Sequence, residues 1–241
     1  MLLIKPHYVI EDFPNYKEVH NKLEAAARTC YKSEDKIKSG SAEKLLSSLV
    51  KSGHHSVFEH IGASVRFIVD RGVSHELVRH RIASVCQEST RYCDYQGSIA
   101  FIIPPWCKIQ PDLYKEPFIK LSENFLSDAD HAWCVSMWSA SVHYRKLREL
   151  GWRSEQARSV LPNSLKTEVF FTANMREWRH IFKLRCSAKA HPQMREVMIP
   201  LCREFQTVFP VYFSDIKLGD EVIGSEAYPT YPPSFIMKEV Y

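Results

Sequence analysis

Two segments set the terms for any fold of this chain. In HIGASVRFIVD the residues Ile61, Ala63, Val65, Phe67 and Val69 recur with a period of two, and in LKTEVFFTAN the same period picks out Leu165, Thr167, Val169, Phe171 and Ala173. A period of two puts one face of a strand against a core. The two strands stand about a hundred residues apart, and most of the chain around them has helical spacing. YKEVHNKLEAAARTC places Val19, Leu23, Ala26, Ala27 and Cys30 on one helix face, and SAEKLLSSLVKSG repeats the pattern with Gly53 as its stop. After the first strand comes a turn at Asp70 to Gly72, and Ser74 stands as the cap of a helix that delivers Arg79, His80 and Arg81. A long helix is expected from about Leu121 to Leu150, ended by Gly151, with Trp133 and Trp138 as packing residues. SEQARSVL starts at a cap, Ser154, and halts at Pro162. The second strand feeds Asn174 and the helix MREWRHIFKLRC. A last helix opens at Pro192 and carries Met194, Val197, Met198, Leu201 and Phe205 on its apolar face. The tail containing YPTYPPSF has no regular pattern. Strands and helices mix without a βαβ repeat, so the fold class is α+β: a mixed sheet flanked by helices, with a long central helix, in one domain over residues 1–241.

Composition removes several function classes. None of the eight glycines falls in a GxGxxG or GxxxxGK pattern, so a Rossmann or P-loop turn is not available to hold a nucleotide. A net charge of +4 is mild, which favours local basic pockets over a general nucleic-acid coat. The opening MLLIKPHYVIEDF lacks a long apolar core, and no run approaches the length that spans a bilayer, so the expectation is a cytoplasmic protein without membrane contact. Seven scattered cysteines, never spaced CxxC, imply neither a disulfide framework nor a thiolate zinc site.

The chemistry-bearing residues concentrate in RHRIASVCQESTRY, Arg79 to Tyr92. Three readings compete for it: a solvated basic face, a stripe for nucleic acid, or a site that holds anions. HELVRH imitates the HExxH zinc motif, but His75 and His80 are five apart and turn about 140° away from each other on a helix, so no metal is expected. Ser89 lies outside any GxSxG elbow and, between cations, suits an anion better than a nucleophilic role. Arg158 and Arg185 sit in apolar local contexts, QARSVLP and FKLRCSA, where each guanidinium needs an acceptor. An anionic ligand and an internal carboxylate both satisfy that demand.

RHR, seven residues, Ser, one residue, Arg is similar to the signature of the flavin-dependent thymidylate synthases. AARTCYKS, GHHSVFEH and ARSVLPNSLKTEVFFTANMREWRHIFKLR resemble further segments of that family, in the same order, from about residue 25 to 200. The resemblance implies an enzyme that methylates dUMP to dTMP, with methylenetetrahydrofolate as carbon donor, NADPH as reductant and bound FAD, in a homotetramer whose sites are shared between subunits. It implies that Arg185 activates the pyrimidine without a cysteine nucleophile. It places Glu76, Leu77, Val78, Arg79, Gln87, Glu88, Ser89, Thr90, Arg91, Arg158 and Arg185 around dUMP. Around FAD it places Ser56, Arg79, His80, Arg81, Gln87, Asn174, Met175, Arg176 and His180. Glu76 stands where the family commonly has glutamine, and a carboxylate there calls for a neighbouring arginine. In CSAKAHPQMRE, Lys189 and His191 have no assigned role. The alternative is a non-catalytic nucleic-acid-binding module built on Arg79–Arg91, which needs aromatic residues interleaved for stacking.

Overall fold

A computed structural model describes residues 1–114 and 127–219. The expected helical residues 121–126 and the YPTYPPSF tail lie outside them. The opening residues form two strands, β1 (Leu2–Ile4) and β2 (His7–Asp12), followed by helices α1 (Tyr16–Thr29) and α2 (Ser41–Lys51). A 3-10 turn at Ser56–His60 leads into β3 (Gly62–Asp70) and the short α3 (Arg71–Leu77). Strands β4 (Ala83–Gln87), β5 (Ala100–Ile102) and β6 (Asp112–Leu113) precede α4 (Asp128–Glu149) and α5 (Ser154–Ala157). The chain continues through β7 (Lys166–Asn174), α6 (Met175–Arg185), α7 (Pro192–Val208) and α8 (Pro210–Phe213). The class is the expected α+β. One sheet is wholly antiparallel in the order β2-β3-β7-β4, and the other, β5-β1-β6, is mixed.

The two strands read from their period are the centre of the larger sheet, paired in register from Gly62↔Asn174 to Asp70↔Lys166. Their inner faces meet α6 and α7, where Trp178, Phe182 and Phe205 lie within 5.4 Å of one another, centroid to centroid. The Trp178 indole N–H donates to the Ala63 carbonyl at 3.1 Å, which satisfies the one polar atom that this large apolar side chain buries. A smaller core forms around Leu3, Phe101, Cys134 and Tyr144, with Trp133 and Trp138 packed partly buried against it. Among the described residues no helix is long and apolar enough to cross a membrane.

Three expected boundaries move. The cap of α3 is Asp70, whose Oδ1 accepts from the Val73 amide at 2.9 Å, and Ser74 lies inside the helix with its hydroxyl donating to the Arg71 carbonyl. A β-carbon at Gly72 would stand 2.8 Å from the Asp70 carboxylate, so a larger residue there would push the capping oxygen aside. α3 therefore ends at Leu77, and Arg79, His80 and Arg81 sit beyond the helix on the way to β4. α4 begins at a capping box made by Ser127 and Asp130, some seven residues later than the spacing suggests. α5 is capped at Arg153, whose amide donates to the Gln156 side chain at 2.9 Å; Ser154 is its first residue.

Candidate active site

β4 threads through the middle of RHRIASVCQESTRY and divides it. Its pairing with β7 sets Ala83 beside Ala173, next to the start of α6, and Gln87 beside Val169. The Arg79–Arg81 turn thus abuts the N-terminal half of α6, whereas Glu88–Arg91 leave the strand at the other end. Asn174 caps α6 by accepting from the Glu177 amide at 2.9 Å. Arg176 pairs with Glu59 and ties the 3-10 turn that begins at Ser56 onto α6. His180, one turn further along, meets His80 edge to face at 5.9 Å. Ser56, Arg79, His80, Arg81, Asn174, Arg176 and His180 are therefore gathered around one helix; Met175 is 1% exposed and belongs to the core there. Gln87 is not part of this group: its amide donates to Ser74 at 2.9 Å and to Thr167 at 3.3 Å, beside α3.

Arg185, at the far end of α6, is half-buried and fully engaged. Its Nε donates to His80 Nε2 at 3.0 Å, its Nη1 pairs with the Glu76 carboxylate, and its Nη2 donates to the Glu76 carbonyl at 3.2 Å. The acceptor that its apolar context demanded is thus an internal carboxylate, and Glu76 has the arginine that its charge required. Arg158 behaves differently. It is exposed, at the start of the 3-10 turn that follows α5, and its Nη1 donates to Thr90 at 2.9 Å. A cavity of about 200 Å³ opens beside Glu76, lined also by Asp70, Asn163, His191 and Gln193. Of Lys189 and His191, only the histidine reaches it. That volume is below the ~300 Å³ at which small-molecule pockets begin, so a nucleotide needs the open surface next to it as well.

Around the Ser89 loop the side chains divide by role. Glu88 accepts from Lys166 at 3.0 Å, from the Glu168 amide at 3.2 Å and from the Tyr95 hydroxyl at 2.8 Å, a set of bonds that anchors the loop from beneath. Burial pulls the Lys166 pKa down, but Glu88 and Glu168 outweigh it and hold the ammonium above its usual range. Ser89 accepts from the Arg91 amide at 3.3 Å, and Arg91 is exposed over the Tyr92 ring. Leu77 is in the core, which leaves its backbone as the part able to face a ligand, and Val78 is exposed. Tyr95 is buried, so Tyr92 is the one exposed aromatic of this stretch, too few for a polynucleotide stacking platform. Burial pushes the Cys107 and Cys134 thiols up to about 12, away from nucleophilic use, with Asp130 adding to the effect on both.

Glu177 was not foreseen. It is buried against His80, with Oε1 3.4 Å from Nδ1. Its i, i+3 spacing to His180 on one helix was the available signal.

The scaffold is α+β, with the Arg79–Arg81 turn against α6 and the Ser89 loop at the opposite end of β4, and no glycine of the chain falls in a Rossmann or P-loop pattern, which sets the fold apart from both of those classes. The family model described as thymidylate synthase complementing protein matches residues 14–211, and the chain belongs to this family, that of the flavin-dependent thymidylate synthases. It is 32% identical over 203 residues to the flavin-dependent thymidylate synthase of Geobacter sulfurreducens, covering 80% of each chain. To that of Mycobacterium marinum it is 30% identical over 223 residues, 85% of this chain and 82% of the relative. Among solved structures, a UMP/dUMP methylase from Streptomyces cacaoi bound with 5-Br dUMP aligns with a TM-score of 0.67 and 26% identity, over 89% of this chain and 96% of that one. A thymidylate synthase from Helicobacter pylori, solved with FAD and dUMP, has the same fold at a TM-score of 0.67 and 22% identity, over 88% and 98%.

Proposed function

We propose that this chain is a single catalytic domain that converts dUMP to dTMP in the cytoplasm, as a homotetramer with shared sites. It would take a methylene group from methylenetetrahydrofolate, a hydride from NADPH and a proton from solvent, and release dTMP, tetrahydrofolate and NADP⁺. The observation that carries the reading is Arg185: a half-buried guanidinium held on its Nε side by His80, with both outer nitrogens on a residue beside a cavity.

The chemical problem is to make carbon 5 of uracil electron-rich. A fixed cation at the N3 and carbonyl edge favours the anionic ring, and a charge already in position needs no reorganisation as the reaction proceeds. Arg185 takes that part once the pyrimidine replaces Glu76 on its outer nitrogens. Ser89 and Arg91 suit the phosphate, a neutral donor beside a planar charged fork, with Arg158 added through Thr90. Leu77, Val78 and the backbone of Gln87 and Glu88 border the nucleotide, while the Glu88 side chain anchors the loop.

FAD, when bound, supplies the reducing equivalents. The donor set fits its pyrophosphate and polar edge: Arg79 and Arg81 are exposed and, among the described residues, have no ion-pair partner, and His180 and Ser56 lie exposed on adjoining elements. Arginines and amides then do what a helix N-terminus and glycines do in a Rossmann protein.

Purified protein is expected to be yellow, to bleach with NADPH, and to form dTMP when dUMP and methylenetetrahydrofolate are added. Colourless protein that takes up no added FAD overturns the reading.

A further inference from the structure

The imidazole of His80 lies between two groups that decide where its proton resides. Arg185 Nε can only donate, and it stands 3.0 Å from Nε2, so that nitrogen carries the lone pair. The proton is then on Nδ1, which faces Glu177 Oε1 at 3.4 Å. The His80 and Glu177 side chains are 4% and 9% exposed. Burial, reinforced by Arg185 and His180, lowers the His80 pKa to about 4, so the ring is neutral near pH 7. A neutral ring has one lone pair, and Arg185 uses it. His80, Glu177 and His180 have ligand atoms within 4.8 Å of one another, but an ion among them would have to break the Arg185 bond and sit beside a guanidinium. The cluster is better matched to a protein cation than to a metal.

We propose that Glu177 is a positioning residue for Arg185, acting through His80. The inference rests on the reading of Arg185 as the group that charges the pyrimidine. Arginine has four side-chain rotors, and Glu76, its other partner, must leave when a nucleotide arrives. His80 is the contact that persists. By accepting at Nε it leaves both Nη groups free for the ring, and Glu177 keeps the acceptor nitrogen turned toward the arginine. A displacement of an ångström at such a group can cost about a hundredfold in rate.

Glu177→Gln tests the chain at constant size. The neutral amide oxygen accepts from Nδ1–H more weakly than a carboxylate does, which loosens the hold on the ring and on the lone pair that it turns toward Arg185. The expected result is a kcat for dTMP formation at least tenfold lower, with FAD content and the KM for dUMP within twofold of the parent, and partial recovery in Glu177→Asp. His80→Gln supplies a second variant: once Gln occupies position 80, adding Glu177→Gln should lower kcat no further. Nitrogen-15 spectra of histidine-labelled protein, assigned with His80→Gln, read the tautomer without reference to turnover. They should show the Nδ1–H form in the parent and a smaller share of it in Glu177→Gln. A parent protein protonated at Nε2, or Glu177→Gln with kcat within twofold, overturns the proposal. Should the parent make no dTMP, the assigned activity has failed, and the tautomer spectra alone decide whether Glu177 controls His80.

Discussion

Arg185 and Glu76 close a ring: the guanidinium pairs with the carboxylate through Nη1 and with the main-chain carbonyl of the same residue through Nη2 at 3.2 Å. A substrate that needs Arg185 must compete with this carboxylate, itself a negative charge beside an anionic nucleotide. Glu76→Gln removes the charge and keeps the shape. The apparent Kd for dUMP, measured by titration against the flavin spectrum, is expected to fall about threefold to tenfold, the order of a partly exposed ion pair lost from the free state. Weaker binding in this variant would show that Glu76 helps to hold the nucleotide.

Arg185→Ala deletes charge at the ring and leaves the Arg79, Arg81, Arg176 and His180 group intact. FAD content should stay at the parent level while dTMP formation falls by at least about a hundredfold, the usual cost of removing one preorganised stabilising group. Absorbance of the purified variant and a product assay separate the two effects.

Ser89→Ala should act on binding. Loss of one hydrogen bond to a charged group is equivalent to roughly a tenfold rise in the KM for dUMP, with kcat little changed. A covalent nucleophile would behave in the opposite way, keeping affinity and losing turnover, and single-turnover kinetics tell them apart.

Stability has its own test at the end of α8. The buried Arg179 guanidinium makes two bonds to Asp215, at 2.9 Å and 2.8 Å, and the hydrogen bond from Arg179 lowers the Asp215 pKa although burial opposes it. Asp215→Asn should cost about 2 kcal/mol near pH 7, less than a wholly buried pair because the aspartate is half exposed. A carboxylate whose pKa is depressed by folding stabilises above its unfolded value, ~3.9, and that contribution disappears as pH falls through the lower folded value. Denaturant midpoints should therefore separate parent and variant at pH 7 and converge toward pH 2.

The parts of the fold legible in the sequence were those with a strong local period. β3 and β7 announced themselves through Val65, Phe67, Val169 and Phe171, and α7 through Pro192 and the Met194 to Phe205 stripe. β4 did not, because ASVCQ carries little apolar weight and becomes a strand only by pairing with β7. The cap of α3 was misplaced by four residues because Asp70 and Ser74 are both good caps, and only the carboxylate's bond to Val73 distinguishes them. At the candidate site, the motif residues were named through resemblance, and the fold brings Arg79, His80, Arg81, Arg176 and His180 together around α6. Glu177, whose proposed role comes from a contact with a residue nearly a hundred positions earlier, offered only its i, i+3 spacing to His180, which does not by itself rank it above the other charges of α6.

β4 also explains why a signature written as RHR, seven residues, Ser is a statement about length. The five residues from Ala83 to Gln87 pave about 17 Å at strand rise, locked rung by rung to β7. The strand works as a ruler between the Arg79–Arg81 turn and the Ser89 loop, the two places to which the proposed function assigns different phosphate-bearing molecules. One residue more would turn the Ser89 loop to the opposite side of the sheet, and two more would restore the side but overshoot by about 7 Å. Chemistry at this sheet edge can thus tolerate many letters along the ruler, but not a change in their number.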